Sequence, residues 1–371
     1  MLPERAFHNG NPRPIWPAPD GCAIQVIDQR RLPHETVVAE LRTVDEVIDA
    51  IRTLMVRGAP LIGASGAWGV ALAAQAAAAG GRDFEFIAAE AQRLAAARPT
   101  AVNLRWAVER VLAAVRSSDR LADAPGLARR AAAGVADAEA DNCRRIGCHG
   151  LPLIQALARS ARPVRILTHC NAGWLACVEH GTATAPIYAA AAAGIDLHVW
   201  VDETRPLNQG ARLTAWELGR GGVPHAVVAD HAGGHLMQHG LVDLVIVGAD
   251  RVSAAGDAAN KIGTYLKALA AHDNDIPFYV ALPSSTFDWT IADGVAGIPI
   301  EERDPDEIRF VDGWDGGRLC RVRVTPETSP AANFAFDVTP ARLITGLITE
   351  RGVCRADAAD IRRLFPETPR S

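Results

Sequence analysis

Two side chains with acid–base chemistry stand at the ends of apolar runs. The largely apolar run Val164–Leu167 leads straight into Thr168-His169-Cys170-Asn171-Ala172-Gly173, and Leu244–Val247 ends in Gly248-Ala249-Asp250-Arg251. Read as two strands of one sheet, these runs put a thiol and a carboxylate where each strand opens into a loop. Ligands of open parallel sheets bind beyond the carboxyl ends of the strands, so the pair points to proton transfer. Each residue also has a plainer reading. Cys170 fits a small buried hydrophobe, and Asp250 fits a structural carboxylate paired with Arg251. A working thiolate needs its pKa brought down from about 8.5 by cations or dipoles, and a working general acid needs its pKa raised by burial.

The other strand ends of the second half are polar as well. They carry Asp202-Glu203-Thr204-Arg205 with Gln209 beyond, then Asp230-His231, then Ser284-Ser285-Thr286. Any one of these reads as a turn or a helix cap; their recurrence at one sheet edge reads as a site. Three segments suit an anion. Arg57-Gly58-Ala59-Pro60 sets a guanidinium beside backbone N–H groups, Arg98-Pro99-Thr100 opens a helical stretch, and Asn260-Lys261 falls in the expected first turns of a helix, where dipole and ammonium both favour phosphate. Lys261 alone also reads as a solvated helix-face charge. His231, His235 and His239 share a helical face, but Gly233-Gly234 interrupt it and no Cys or carboxylate stands at ligand spacing, so no metal is expected. Cys143 and Cys148-His149 read as helix packing and a helix end. Neither Gly-x-Gly-x-x-Gly nor Gly-x4-Gly-Lys-[Ser/Thr] occurs, so no cofactor is expected.

The elements that must position these residues fall into two halves. Proline-punctuated extended material over 12–33 suggests a small antiparallel sheet. Helical composition then runs through Val44–Leu54, Ser65–Ala79, Asp83–Ala97, Leu104–Val115 and Pro125–Arg145. After Gly150, apolar runs at Val164–Leu167, Leu197–Val201, Ala226–Ala229, Leu244–Val247 and Phe278–Ala281 alternate with helical stretches at Ala176–Ala193, Ala211–Arg220, Gly234–Gly240 and Ala259–Ala271. This alternation predicts an α/β fold with a parallel sheet. Residues 1–150 form the expected helical N-terminal domain and 151–371 the expected Rossmann-like catalytic domain. The chain has 371 residues, long enough for two domains, and is 49% hydrophobic and 22% charged. A formal net charge of -5 gives no footprint for nucleic acid. Seven scattered cysteines fit reduced thiols and a cytoplasmic setting. Residues 1–5 open no signal peptide, and alanine-rich runs such as Ala71–Ala79 read as helix, so no membrane partner is expected.

Longer blocks resemble a known family. Thr168–Gly173, Asp202–Pro206, Gln209–Leu218, Gly248–Arg251 and Asn260–Tyr265, together with Asp28–Arg30, Arg57–Pro60 and Arg98–Leu104, resemble the methylthioribose-1-phosphate isomerase family, which is related to the regulatory subunits of translation initiation factor 2B. The likeness covers nearly the whole chain. It implies a homodimer and an aldose–ketose isomerisation of 5-methylthioribose 1-phosphate in methionine salvage. It implies Cys170 and Asp250 as the catalytic pair, and Arg57, Gly58, Ala59, Arg98, Gln209, Asn260 and Lys261 as substrate-binding residues. The stretch Trp174–His180, Ala255 and Asn208 depart from the family pattern, which leaves the 5-substituent open between methylthioribose, 5-deoxyribose and ribose 1,5-bisphosphate. Two routes stay open, proton transfer by Cys170 and a hydride shift in which Cys170 and Asp250 handle only oxygen-bound protons. The rival class is a regulatory sugar-phosphate or nucleotide binder.

Overall fold

Short β-branched and proline-flanked runs make a three-stranded antiparallel sheet of β1 (Ile15–Pro17), β2 (Ile24–Ile27) and β3 (Val38–Leu41). The structure is a computed structural model and describes residues 7–8, 11–98, 100–158 and 162–368. Residues 1–5, read above for a signal peptide, lie outside the described residues, as does Pro99 of the Arg98-Pro99-Thr100 candidate. Five helices follow the sheet: α1 (Val44–Arg52), α2 (Ala59–Gly80), α3 (Phe84–Ala95), α4 (Val102–Val115) and α5 (Ala124–Gln155). A capping box starts α1, with Thr43 and Glu46 each satisfying the other's backbone N–H.

Helix α2 begins earlier than the sequence suggests, because Pro60 is tolerated in a first helical turn. It is long and apolar enough to cross a membrane by length and composition, yet most of it is buried inside the fold. Its glycines explain that burial. A Cβ on Gly66 would fall 2.4 Å from Leu104 Cδ1, so the bare backbone lets α4 pack close. Helix α5 also outruns its expected end at Arg145, and residues 150 and 151 lie within it. Its first half packs into the helical core through Ala124, Ala128 and Val135, while Ile146 and Ile154 pack against Val164 and Ile166 of the main sheet.

The second half runs β4 (Val164–Thr168), α6 (Trp174–Cys177), α7 (Thr184–Ala192), β5 (Leu197–Asp202), α8 (Ala215–Arg220), β6 (His225–Val228), α9 (Ala232–Gln238) and β7 (Leu244–Val247). It continues through β8 (Arg251–Ser253), β9 (Ala258–Lys261), α10 (Thr264–Asp273), β10 (Phe278–Ala281) and β11 (Phe287–Asp288). A hairpin of β12 (Phe310–Trp314) and β13 (Leu319–Arg323) precedes β14 (Phe336–Thr339), β15 (Gly346–Thr349) and β16 (Gly352–Cys354). The fold is thus mixed α/β. The seven-stranded sheet has the order β16-β15-β10-β7-β4-β5-β6 and is parallel except at β15–β16. From β4 the chain builds outward one way through β5 and β6, then returns to β7 and builds the other way.

Two helix expectations need correction. The stretch Ala176–Ala193 is two helices, because Val178, His180 and Gly181 adopt left-handed φ values of 69°, 60° and 86°. Asn260 and Lys261 are not in a helix; they lie on β9, paired antiparallel with β8 and β14. Alanine composition suggested helix there, but pairing on both sides overrides propensity, and the helix begins at Thr264 after Gly263 at φ 102°.

Candidate active site

The order of the main sheet reverses between β4 and β7, and Cys170 and Asp250 follow those two strands. The sheet thereby brings together the two residues singled out for chemistry, as the crevice rule requires. Leu54, Arg57, Gly58, Arg98, Cys170, Gln209, Asp250, Lys261, Arg303 and Phe336 line one small cavity, which shares Leu54, Arg57, Gln209 and Arg303 with an open cleft of about 570 Å³. Ala59 lines the adjoining hollow beside Arg98 and Asp250. Asn260 is the exception among the expected binding residues. It is buried, its amide donates to Thr264 Oγ1 at 3.0 Å, and it is not among the lining residues.

Local structure explains each placement. Cys170 sits in left-handed backbone at φ 66°, its N–H donating to Thr204 Oγ1 at 2.9 Å and its carbonyl accepting from Thr214 Oγ1 at 2.6 Å. The next turn is fixed by Glu217. Its carboxylate accepts the N–H groups of Trp174 and Leu175 at 3.0 Å and the Asn171 amide at 2.9 Å. A Cβ on Gly173 would lie 1.8 Å from Glu217 Oε2, so only glycine fits there. Arg57 clamps the same loop, donating to Asn171 Oδ1 at 2.5 Å and to the Asn171 carbonyl at 2.7 Å. Gly58, at φ 95°, starts α2 with no side-chain cap, which leaves first-turn N–H groups for an anion. On the opposite wall the β8–β9 hairpin sets Lys261 near Asp250, whose own N–H donates to Ala259 at 2.9 Å. The Lys261 ammonium lies 4.9 Å from the Phe336 ring centre.

The electrostatics are those of buried groups of opposed charge. Burial pushes the Cys170 thiol up, while Arg57 and Lys261 pull it down without offsetting burial. Burial likewise raises the Asp250 carboxyl against Lys261, Arg98 and Arg57. Lys261 is lowered by burial, with Cys170 and Asp250 opposing. Arg98 is balanced by Glu301 at 2.7 Å, and Glu301 also meets Arg303 at 3.0 Å. Gln209 is buried, and its Oε1 has no hydrogen-bond partner within the protein. A buried orphan acceptor beside three guanidinium groups and a lysine suits a ligand with donor hydroxyls and an anionic group.

Other candidates go elsewhere. Asp230 accepts the Thr204 and Arg205 N–H groups at 2.7 and 2.6 Å, so it supports the loop that holds Cys170. Ser285 accepts from Asn103 at 2.9 Å and lines a separate cavity. His235 and His239 meet with ring centres 4.2 Å apart and tilted by 42°, and among the described residues no carboxylate or thiol joins them at metal-ligand spacing. Among the described residues, His169, Asp202 and Asp230 form the one cluster at metal-ligand spacing, and the Lys267 ammonium stands 3.2 Å from Asp202 as a cation already in place. Sequence reasoning missed Leu54, Arg303 and Phe336 as lining residues. Arg303 sits in Glu301-Glu302-Arg303-Asp304, a run that reads as a solvated loop.

The initiation factor 2 subunit family model matches residues 55–356. A methylthioribose-1-phosphate isomerase of Desulfosudis oleivorans is 63% identical over 96% of this chain and 97% of its own length. One from Brucella anthropi is 55% identical over 98% of each. The crystal structure of 5-methylthioribose 1-phosphate isomerase from Pyrococcus horikoshii superposes with a TM-score of 0.82 at 39% identity, covering 96% of both chains. That of translation initiation factor eIF-2B, subunit delta, from A. fulgidus gives 0.78 at 38% identity over 95% of this chain and 99% of that one. With full-length similarity on both sides of the match, the chain belongs to the initiation factor 2 subunit family and, within it, to the methylthioribose-1-phosphate isomerase family.

Proposed function

We propose that the chain is an aldose–ketose isomerase converting 5-methylthioribose 1-phosphate to 5-methylthioribulose 1-phosphate, with the Rossmann-like second half carrying the reaction. The observation that carries this reading is the shared cavity of Cys170 and Asp250, ringed by Arg57, Arg98, Gln209 and Lys261. A regulatory binder would have no use for a thiol and a buried acid on facing walls.

Phosphate on carbon 1 locks the sugar as an acetal, so ring opening needs an acid at the ring oxygen. Asp250, raised by burial, supplies that proton. The Cys170 thiolate takes the proton from carbon 2 as the bond from carbon 1 to the ring oxygen breaks, leaving an enediol-like phosphate. The thiol then returns its proton to carbon 1, and the Asp250 carboxylate takes the proton from the carbon-2 hydroxyl as the ketone forms. Both groups end as they began. A protonated Asp250 no longer pushes the thiol up, and Arg57 and Lys261 favour the thiolate against burial. The phosphate suits the open first turn of α2 and the Arg57 side, and Gln209 Oε1 suits a sugar hydroxyl. Methionine salvage in the cytoplasm as a homodimer follows from the same family reading.

The test is direct. Purified protein is incubated with methylthioribose 1-phosphate, 5-deoxyribose 1-phosphate and ribose 1,5-bisphosphate in parallel, and ketose formation is followed. Turnover highest on the methylthio sugar supports the reading; binding of all three without turnover sinks it in favour of the regulatory binder.

A further inference from the structure

We propose that His169, held between Asp202 and the Ile262 carbonyl, is the positioning residue that keeps the Cys170 thiol against the Lys261 ammonium. The inference rests on the isomerase reading for its kinetic part only. His169 precedes Cys170, and Ile262 follows Lys261, so the imidazole ties together the two segments that carry the thiol and its cation. Its Nε2 lies 2.9 Å from the Ile262 carbonyl, an acceptor, so that nitrogen carries a hydrogen. Its Nδ1 lies 2.8 Å from Asp202 Oδ2. A second proton therefore sits between imidazole and carboxylate. The ring and Asp202 are both fully buried.

Every element packed on the ring contributes a charge or a constraint. Lys267 on α10 places its ammonium 3.2 Å from Asp202 Oδ2. Asp230, after β6, puts Oδ1 3.9 Å from His169 Nδ1. Asp337 on β14 accepts the Gly263 and Tyr265 N–H groups at 2.7 and 3.1 Å and holds the far side of the same turn. Gly263 lies at φ 102°, which strains any other residue, and a Cβ there would come a tight 3.1 Å from His169 Cε1. Asp230 also fixes Thr204, itself left-handed at φ 67°, and Thr204 holds the Cys170 N–H. His169, Lys267 and Asp202, all buried, with the partly buried Asp230 and Asp337, thus converge on the turns beside Cys170 and Lys261, and none of these groups lines the cavity where substrate would sit.

The experiment compares wild type with His169→Phe, which keeps a planar ring and loses both nitrogens, and His169→Gln, which retains a side-chain donor for the Ile262 carbonyl. Alkylation of Cys170 by iodoacetamide, located by peptide mass spectrometry, is measured against pH, alongside kcat, KM and Tm. Positioning requires the alkylation midpoint of His169→Phe to move up by about one pH unit or more. It also requires kcat to fall at least about tenfold with KM changed less than about threefold, and His169→Gln to recover part of both. A wild-type alkylation profile in His169→Phe, whatever happens to Tm, overturns the proposal and leaves His169 a packing residue. If His169→Phe does not fold, the His169→Gln profile decides alone, an upward shift supporting the proposal and no shift overturning it. Alkylation needs no substrate, so its outcome stands even if the isomerase reading fails.

Discussion

Cys170 follows β4 and Asp250 follows β7, the two neighbouring strands between which the order of the main sheet reverses. Strand pairing thus brings an acid and a thiol to one crevice although β4 ends at Thr168 and β7 only at Val247. The β8–β9 hairpin then adds Lys261 on the Asp250 side of that crevice.

Cys170→Ser and Asp250→Asn are each expected to lower kcat by roughly 10²–10⁴-fold, the usual worth of a positioned acid or base. Both substitutions nearly conserve volume, so Tm should hold. The double variant should lose little more than the worse single one, because the two act on one transition state. Steady-state kinetics with a thermal melt checks all three.

Lys261→Met is expected to push the Cys170 thiol further up, since it deletes one of the two cations that pull the thiol down. Thiolate absorbance in the ultraviolet, followed across pH, should show a later rise than wild type. Asp250 loses the same cation and should also titrate later. An unmoved thiol titration would mean that Lys261 does not act on it.

Gly58→Ala should damage folding and phosphate binding together. The backbone there is at φ 95°, and a Cβ would sit 2.4 Å from the Ala176 Cβ. Strain of that kind costs on the order of 1–3 kcal/mol, read as a lower Tm, and displacement of the α2 terminus should raise KM for the sugar phosphate.

Glu139 offers a stability test remote from the chemistry. It is fully buried on α5, neither carboxylate oxygen has a hydrogen-bond partner in good geometry, and burial raises its pKa from 4.5 to about 7 against the pull of the Ser285 hydroxyl. The folded chain therefore holds this proton more tightly than the unfolded chain. That contribution is fully present below about pH 4.5 and is lost as pH rises to about 7. Glu139→Gln should stabilise the protein above about pH 7 by up to about 3 kcal/mol and make no difference below about pH 4.5. Denaturant melts at several pH values measure it.

The strand ends that carry Cys170 and Asp250 were legible because an apolar run broken by Gly, Asn or Asp marks a buried strand opening into a loop, and both residues lie just past such a break. The parallel sheet was legible for the same reason. Asn260 and Lys261 misled because alanine-rich sequence favours helix locally, while the pairing partners that make it a strand lie at 251–253 and 336–339. Arg303 and Phe336 were hidden by distance along the chain, and nothing local marks either as a wall of the cavity. Glu217 looks like an ordinary acid in sequence, and Asp202 like one polar strand end among several. Only the fold shows them buried under the Cys170 loop, where they hold backbone N–H groups and the His169 ring.

The central claim is that Cys170 carries a proton between two carbons of a phosphate-locked sugar. Turnover of methylthioribose 1-phosphate in deuterated water, with the product read by nuclear magnetic resonance, tests it most directly. Ketose product bearing solvent deuterium at carbon 1 is the expected result, because the thiol proton exchanges with water. Absence of ketose product, or ketose formed at full rate with no deuterium at carbon 1, would contradict it.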